Sequence, residues 1–288
     1  MKPVWTLRWC AALLVSILAL PLAAQDWKAN PRDLIRRAIA NEEKEPAKST
    51  YFMYRDSKRK KGGSTETKEM LQTPSMVLGR LVAINGQPLT AEQRKNEERR
   101  LNRLVNNQDE LDKKKKEQKE DDERAHKMVS AIPDAFTFQY VKTEESPSGE
   151  VAVYNFTPNP NWNAPDRELQ VFTGMSGVLK IAVRPERLAL MQAMLTKDVN
   201  FGWGILGRLN KGGDFLIEQT EIAPGHWDVT HMKLHFTGKV LFLKSLNIQE
   251  EESTSGYQIV QPMTVAQALD KLREVDGEYA KNASDAGK

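Results

Sequence analysis

Three consecutive stretches, DFLIEQTEI at 214–222, WDVTHMKLHF at 227–236 and VLFLKSLNI at 240–248, decide the fold. Each is rich in β-branched and aromatic residues, and each reads with a period of two, the spacing at which alternate side chains reach opposite faces of a strand. Pro224-Gly225 and Gly238-Lys239 separate them. Connections this short leave no room for a crossover helix, so the three strands form an antiparallel meander.

The same pattern extends toward the N-terminus. Phe136, Phe138 and Tyr140 alternate with Thr137 and Gln139, and Val151, Val153 and Asn155 alternate with Ala152, Tyr154 and Phe156. Prolines 158, 160 and 165 make an irregular loop around Trp162. Further strands are predicted at Leu169 to Phe172, Val178 to Val183 and Leu188 to Leu195, with turns at Gly174 to Gly177 and Arg184-Pro185-Glu186-Arg187. Earlier still, Tyr51 to Tyr54, Thr65 to Leu71 and Met76 to Ile84 read as strands. Lys58 to Gly63 reads as a solvated turn, and Asn85-Gly86 as a hairpin dipeptide.

Helices flank and interrupt this sheet. Asn30, Pro31 and Asp33 suit a helix start, and Leu34, Ile35, Ala38 and Ile39 supply one apolar face. From Thr90 to Ile132 there is no Gly or Pro. Thr90 and Gln93 form a capping-box pattern, and Asn106-Asn107 marks a break. Leu101, Leu104, Val105 and Leu111 form an apolar stripe at one end of this segment, and Ala125, Met128, Val129 and Ile132 form one at the other. Between them Lys113 to Arg124 is almost wholly charged. The pattern predicts a helical hairpin whose ends rest on the body and whose middle faces solvent. A second capping box, Thr264 and Gln267, opens a C-terminal helix carrying Val265, Leu269, Leu272 and Tyr279.

Composition and the N-terminus bound the compartment. Lys2 and Arg8 precede an apolar run, Cys10 to Leu20, which ends in Pro21-Leu22-Ala23-Ala24 before Gln25-Asp26. This reads as an export signal cleaved near Ala24, and the run is about half the ~20 residues a membrane-spanning helix needs. Cleavage removes Cys10, the one cysteine of the chain, which excludes disulfides and thiolate chemistry in the product. The expected organisation is a signal peptide over 1–24, one domain over 25–280 that includes the 90–132 insertion, and a disordered tail over 281–288. The expected location is the periplasm, with no transmembrane segment in the mature chain. A net charge of +3, two units of it in the leader, gives no reason to expect nucleic-acid binding.

Catalytic signatures are missing from the sequence. Ser64, Ser75, Ser130 and Ser176 have no glycine elbow or neighbouring base. His231 and His235, four residues apart on a strand, have Cα atoms roughly 13 Å apart, too far to clamp a metal ion together. Gly202, Gly204 and Gly207 match a dinucleotide-binding spacing but lack the strand and helix around it. No enzyme activity, cofactor or metal is therefore expected. The informative anomaly is that some strands are apolar on both faces. Val240, Phe242, Leu246 and Ile248 oppose Leu241 and Leu243, while Leu188, Leu190 and Met194 oppose Met191 and Leu195. An antiparallel sheet with one wet face alternates more cleanly, so either helices or a lipophilic guest cover the second face.

The order of elements, with Tyr51-Phe52-Met53-Tyr54, Gly177-Val178-Leu179-Lys180-Ile181 and Val240-Leu241-Phe242-Leu243-Lys244, resembles the outer-membrane lipoprotein-sorting (LolA-like) family. That resemblance implies an α+β fold: a mainly antiparallel, twisted sheet of about ten strands forming an open half-barrel. N- and C-terminal helices would cover it, and its concave apolar face would hold acyl chains. Lys180 and Ala182 stand where the family favours tryptophan and aspartate. The function expected is an exported periplasmic carrier or sensor of a lipophilic ligand or lipoprotein, with Phe138, Tyr140, Met194, Trp203, Leu206 and Phe242 as wall or rim residues. The alternative is a non-enzymatic scaffold of the cell envelope that meets a protein partner through the charged helices at 90–132.

Overall fold

The computed structural model describes residues 27–43, 50–146, 149–201, 207–240 and 244–285. The segment read as a leader, residues 202–206 with Trp203 and Leu206, and Phe242 lie outside these residues. In chain order the elements are α1 (Pro31–Glu43), β1 (Tyr51–Lys60), β2 (Thr65–Gln72), β3 (Val77–Ile84), β4 (Gln87–Pro88), α2 (Ala91–Asn106), α3 (Gln108–Ala135), β5 (Phe136–Ser146) and β6 (Gly149–Pro158). A 3-10 helix (Glu168–Gly174) precedes β7 (Met175–Ala182), β8 (Arg187–Leu195), β9 (Val199–Phe201), β10 (Gly207–Leu209), β11 (Asp214–Ala223), β12 (His226–Val240), β13 (Lys244–Val260) and α4 (Val265–Asp285).

The thirteen strands form one open antiparallel sheet in the order β4-β3-β2-β1-β13-β12-β11-β8-β7-β6-β5, with β10 and β9 as a side branch from β12. The α+β half-barrel class expected from the sequence is the one observed. Following the register identifies two faces. One, here the core face, carries Tyr154, Leu179, Met191, Phe215 and Leu234. The other, the back face, carries Lys180, Gln192, Leu216 and Lys233.

Helices cover opposite faces at opposite ends. On the core face, Leu34, Ile35, Ala38 and Ile39 of α1 join Ile132 and Ala135 of α3 and the 3-10 helix over β5 to β8. On the back face, Leu104 of α2, Leu111 of α3 and Ala268 and Leu272 of α4 bury Met53, Leu71 and Leu78. An Arg80–Glu98–Arg273 network ties this second core together, with both guanidinium groups on one carboxylate. Apolar strands are thus covered by protein at both ends of the sheet, whereas its middle, β11 to β1, has less cover.

Local chemistry explains the boundaries. Thr90 and Gln93 make the reciprocal capping box at the start of α2, and Thr264 and Gln267 repeat it before α4. Asn107 breaks the inserted helix and caps α3 through the Glu110 amide. The two inserted helices meet at Leu104 and Leu111. Beyond that junction α2 runs on β3 and α4, while the far end of α3 reaches α1, β5 and the 3-10 helix, so the pair straddles the body. About three turns into α3, Gln118 donates to the Val77 carbonyl at 2.8 Å and accepts from the Val77 amide at 3.0 Å. Its side-chain amide thereby replaces a neighbouring strand on β3. Seventeen residues later α3 runs into β5, the opposite sheet edge, so α3 spans the gap between the two edges over about 26 Å at 1.5 Å per residue.

Several local readings need correction. Leu169 to Phe172 is a 3-10 helix, and Gly174 to Gly177 is no turn. Gly177 lies within β7, where a Cβ would sit 1.9 Å from the Gln192 carbonyl oxygen. Gly238-Lys239 does not end a strand either. β12 continues through it to Val240, and a Cβ on Gly238 would meet the Arg208 carbonyl oxygen at 2.0 Å, so the glycine admits β10. Lys58 to Lys60 belong to β1, and α4 continues to Asp285, past the boundary expected at 281.

Candidate functional site

The middle of the core face changes character from one strand to the next. Met191 and Ala193 on β8 stand beside Ile217 and Phe215 on β11, which stand beside Met232 and Leu234 on β12. The next partners, on β13, are Glu252 and Glu250, and beyond them on β1 come Lys58 and Lys60. Phe215 and Phe236 are buried at the margin of the first core, whereas Ile217, Met232, Leu234 and Ile248 are half-exposed. An apolar strip therefore borders a charged one across about 14 Å of sheet, three strand spacings.

The charged half is paired but acid-rich. Lys58 bridges Glu250 and Glu252. Burial by itself lowers the pKa of Lys58, but those hydrogen bonds outweigh it and hold the lysine above its ordinary value. Asp56, two residues along and directly opposite Thr254, is buried. Burial first, and then the nearby Glu252 charge, pushes its carboxyl up to about 6. Tyr54 and Tyr257 stack with centroids 4.9 Å apart, and burial pushes both phenols well above the usual range. Tyr257 reaches this face because the β1–β13 register shifts between Met53 and Arg55, where Gly256 adopts φ +67°.

Of the residues expected to line a site, Phe138 and Tyr140 lie together on β5. Phe138 packs near Phe136 and Phe156, and Tyr140 packs edge-on to Trp27 and Tyr154. Both are under the helical cover rather than on the open strip. Met194, 53% exposed, stands on the back face, because its neighbours Ala193 and Leu195 take the core face. Trp203, Leu206 and Phe242 are outside the described residues.

Sequence reading missed β13 beyond Ile248, and with it Glu250, Glu252, Thr254 and Tyr257. A usable signal was present: Glu250-Glu251-Glu252 is complementary to Lys58-Arg59-Lys60, and the two runs pair in antiparallel register. On the back face His231 lies 2.9 Å from Glu218 and His235 lies 3.5 Å from Asp214, with Lys233 beside Glu251. These are polar contacts on a wet face. Among the described residues no group of three or more His, Cys, Asp or Glu is arranged to hold a metal ion, and no helix is long and apolar enough to cross a membrane.

The chain matches no protein-family model and no curated protein. Two solved structures are similar over most of its length. A domain of Vibrio parahaemolyticus named for outer membrane lipoprotein sorting is 10% identical and aligns over 80% of this chain and 95% of its own, with a TM-score of 0.29. A DUF1329 family protein from Desulfovibrio piger is 10% identical over 84% of this chain and 96% of its own, with a TM-score of 0.28.

Proposed function

We propose that the protein is an exported carrier or sensor of a lipophilic molecule or lipoprotein acyl chain in the periplasm, acting by binding rather than by catalysis. The observation that carries this reading is the half-exposed strip of Ile217, Met232, Leu234 and Ile248 on the core face. Four large aliphatic side chains left half-exposed at the margin of a closed core gain free energy when an alkyl chain covers them. The gain is roughly 0.8 kcal/mol per methylene buried. Phe138 and Tyr140 belong to the covered core beside the strip, and Trp203, Leu206 and Phe242 are proposed for the rim.

Native mass spectrometry of protein purified without detergent from its own envelope fraction tests the reading. A co-purifying amphiphile of fixed stoichiometry is the expected result. A bare protein that also fails to take up a fluorescent fatty-acyl probe refutes it.

A further inference from the structure

The β1–β2 hairpin ends in Lys60-Lys61-Gly62-Gly63, a basic turn that alkyl-chain binding leaves without a task. β1 stops at Lys60, opposite Glu250, and the Lys61 amide donates to the Gln249 carbonyl at 2.7 Å, while the part of β13 from Lys244 to Ile248 pairs with β12 alone. Where the sheet loses a strand in this way, the turn lines a cavity of about 480 Å³. Lys233 and His235 of β12, Asp214 of β11 and Glu251 of β13, all from the back face, line it too.

Every carboxylate around this cavity already has a partner. Glu250 is held by Lys58, Glu251 by Arg59 and by Lys233 at 3.1 Å, and Asp214 lies 3.5 Å from His235. Hydrogen bonds from Lys233 first, and then from Arg59, pull the Glu251 carboxyl down to about 2, so it is ionised at neutral pH and keeps both cations. Lys60 and Lys61 are different. Both are exposed, and neither ammonium group makes an ion pair or a hydrogen bond among the described residues. The Gly62 amide is also without a partner among those residues: Gly62 takes φ +64°, and the turn closes through the Gly63 amide, which donates to the Lys60 carbonyl at 3.0 Å. Two ammonium groups and one amide therefore stand at a cavity whose acids are already engaged.

We propose that this cavity binds a phosphate monoester, with Lys60 and Lys61 as its charge partners and the Gly62 amide as a further donor. Such a group carries about −1.5 to −2 charges near neutral pH and presents three strong acceptor oxygens, which matches two ammonium groups and one amide. A carboxylate or a sulfate ester brings a single charge and leaves one lysine unanswered. Lysine meets phosphate as a point charge and needs no fixed fork, so two flexible side chains on a turn suffice. The volume of about 480 Å³ falls among small-molecule pockets, roughly 300–1,000 Å³, and leaves room for an organic substituent beside Leu234, the one large apolar residue that lines it. The inference rests on this turn and not on the carrier reading, and its failure leaves that reading untouched.

Titration calorimetry of the full chain with phenyl phosphate and phenyl sulfate, at one ionic strength and neutral pH, tests this. The two esters share a shape and differ by about one charge. Phenyl phosphate is expected to bind about tenfold or more tighter than the sulfate. Lys60→Ala combined with Lys61→Ala should remove that preference and leave the melting temperature unchanged. Lys211→Ala should keep it, because Lys211 is as exposed and as unpaired among the described residues but does not line the cavity. Flotation with phosphatidylcholine vesicles that carry phosphatidic acid separates the sources of the phosphate. Vesicle binding that the double variant loses assigns a lipid head group, and ester binding without vesicle binding assigns a soluble ester. Equal affinity for the two phenyl esters, or no binding of phenyl phosphate, overturns the proposal. An equal loss in the double variant and in Lys211→Ala also overturns it, because the attraction then belongs to the net charge and not to this turn.

Discussion

Gln118→Ala measures whether α3 is part of the fold or merely attached to it. Its amide makes two hydrogen bonds to Val77, at 2.8 and 3.0 Å, on an edge of β3 that Arg100 and Glu97 of α2 and then strand β4 satisfy farther along. At about 0.5–1.5 kcal/mol net for each bond, their loss costs roughly 1–3 kcal/mol. Alanine returns a few tenths of a kcal/mol as the better helix former, which leaves a destabilisation of about 1–2 kcal/mol. Lys119→Ala is the control. That side chain is 77% exposed, and its contact with Glu123 at 3.7 Å is the kind of surface pair worth about 0.3–0.5 kcal/mol. Urea unfolding gives the two free energies, and amide exchange gives local protection at Val77. Faster Val77 exchange in Gln118→Ala alone, together with the larger loss of stability, is the expected result. Equal effects of the two substitutions, with Val77 exchange unchanged, would refute the assignment of α3 as the element that spans the two edges.

Gly177→Ala forces a methyl group to within 1.9 Å of the Gln192 carbonyl oxygen, so β7 and β8 must part, and thermal unfolding should show a loss of about 2–3 kcal/mol. Glu98→Gln removes the charge facing Arg80, whose side chain is 4% exposed, and should cost about 3 kcal/mol by urea titration; a loss under 1 kcal/mol would mean that Arg80 finds water. Because the Asp56 carboxyl is raised, the folded state holds its proton to higher pH than the unfolded chain does. Its ionisation therefore destabilises the fold as pH rises through about 6. Asp56→Asn should accordingly be more stable than the wild type at pH above about 6, with the difference shrinking toward pH 4; a difference that grows on acidification would contradict the burial of this group.

The elements legible in the sequence were those with a local physical signature. The two capping boxes, the Asn85-Gly86 turn, where both residues take positive φ, and the helix break at Asn107 depend on interactions within a few residues, and the structure forms each of them. Alternation located β5, β6, β11 and most of β12 for the same reason. Gly177 and Gly238 were read as turn residues because a glycine required by a neighbouring backbone looks, in one dimension, like a glycine required by a bend. β13 was harder. Ser, Thr, Gln and Glu dominate Gln249 to Gln258, so no apolar period exists, and the strand is held by its long-range partner β1. The candidate site suffered in consequence: its apolar side was visible in the sequence, while its acidic side lies on the strand that hydrophobic patterning cannot find. Met194 was named as a wall or rim residue, and the alternation that sets it opposite Leu195 puts it on the back face.

The central claim is that an alkyl chain lies on the core face between β11 and β13. Equilibrium binding of a fluorescent fatty-acyl probe by Leu234→Asp and Met194→Asp, each compared with the wild type, tests it most directly. Both side chains are exposed enough to accept a charge in the free protein, and they stand on opposite faces of adjoining parts of the sheet. The account predicts that Leu234→Asp weakens the probe about tenfold or more, the effect of placing a carboxylate under roughly two buried methylenes, while Met194→Asp leaves it unchanged. Loss of binding in Met194→Asp with binding retained in Leu234→Asp would contradict it and move the site to the back face.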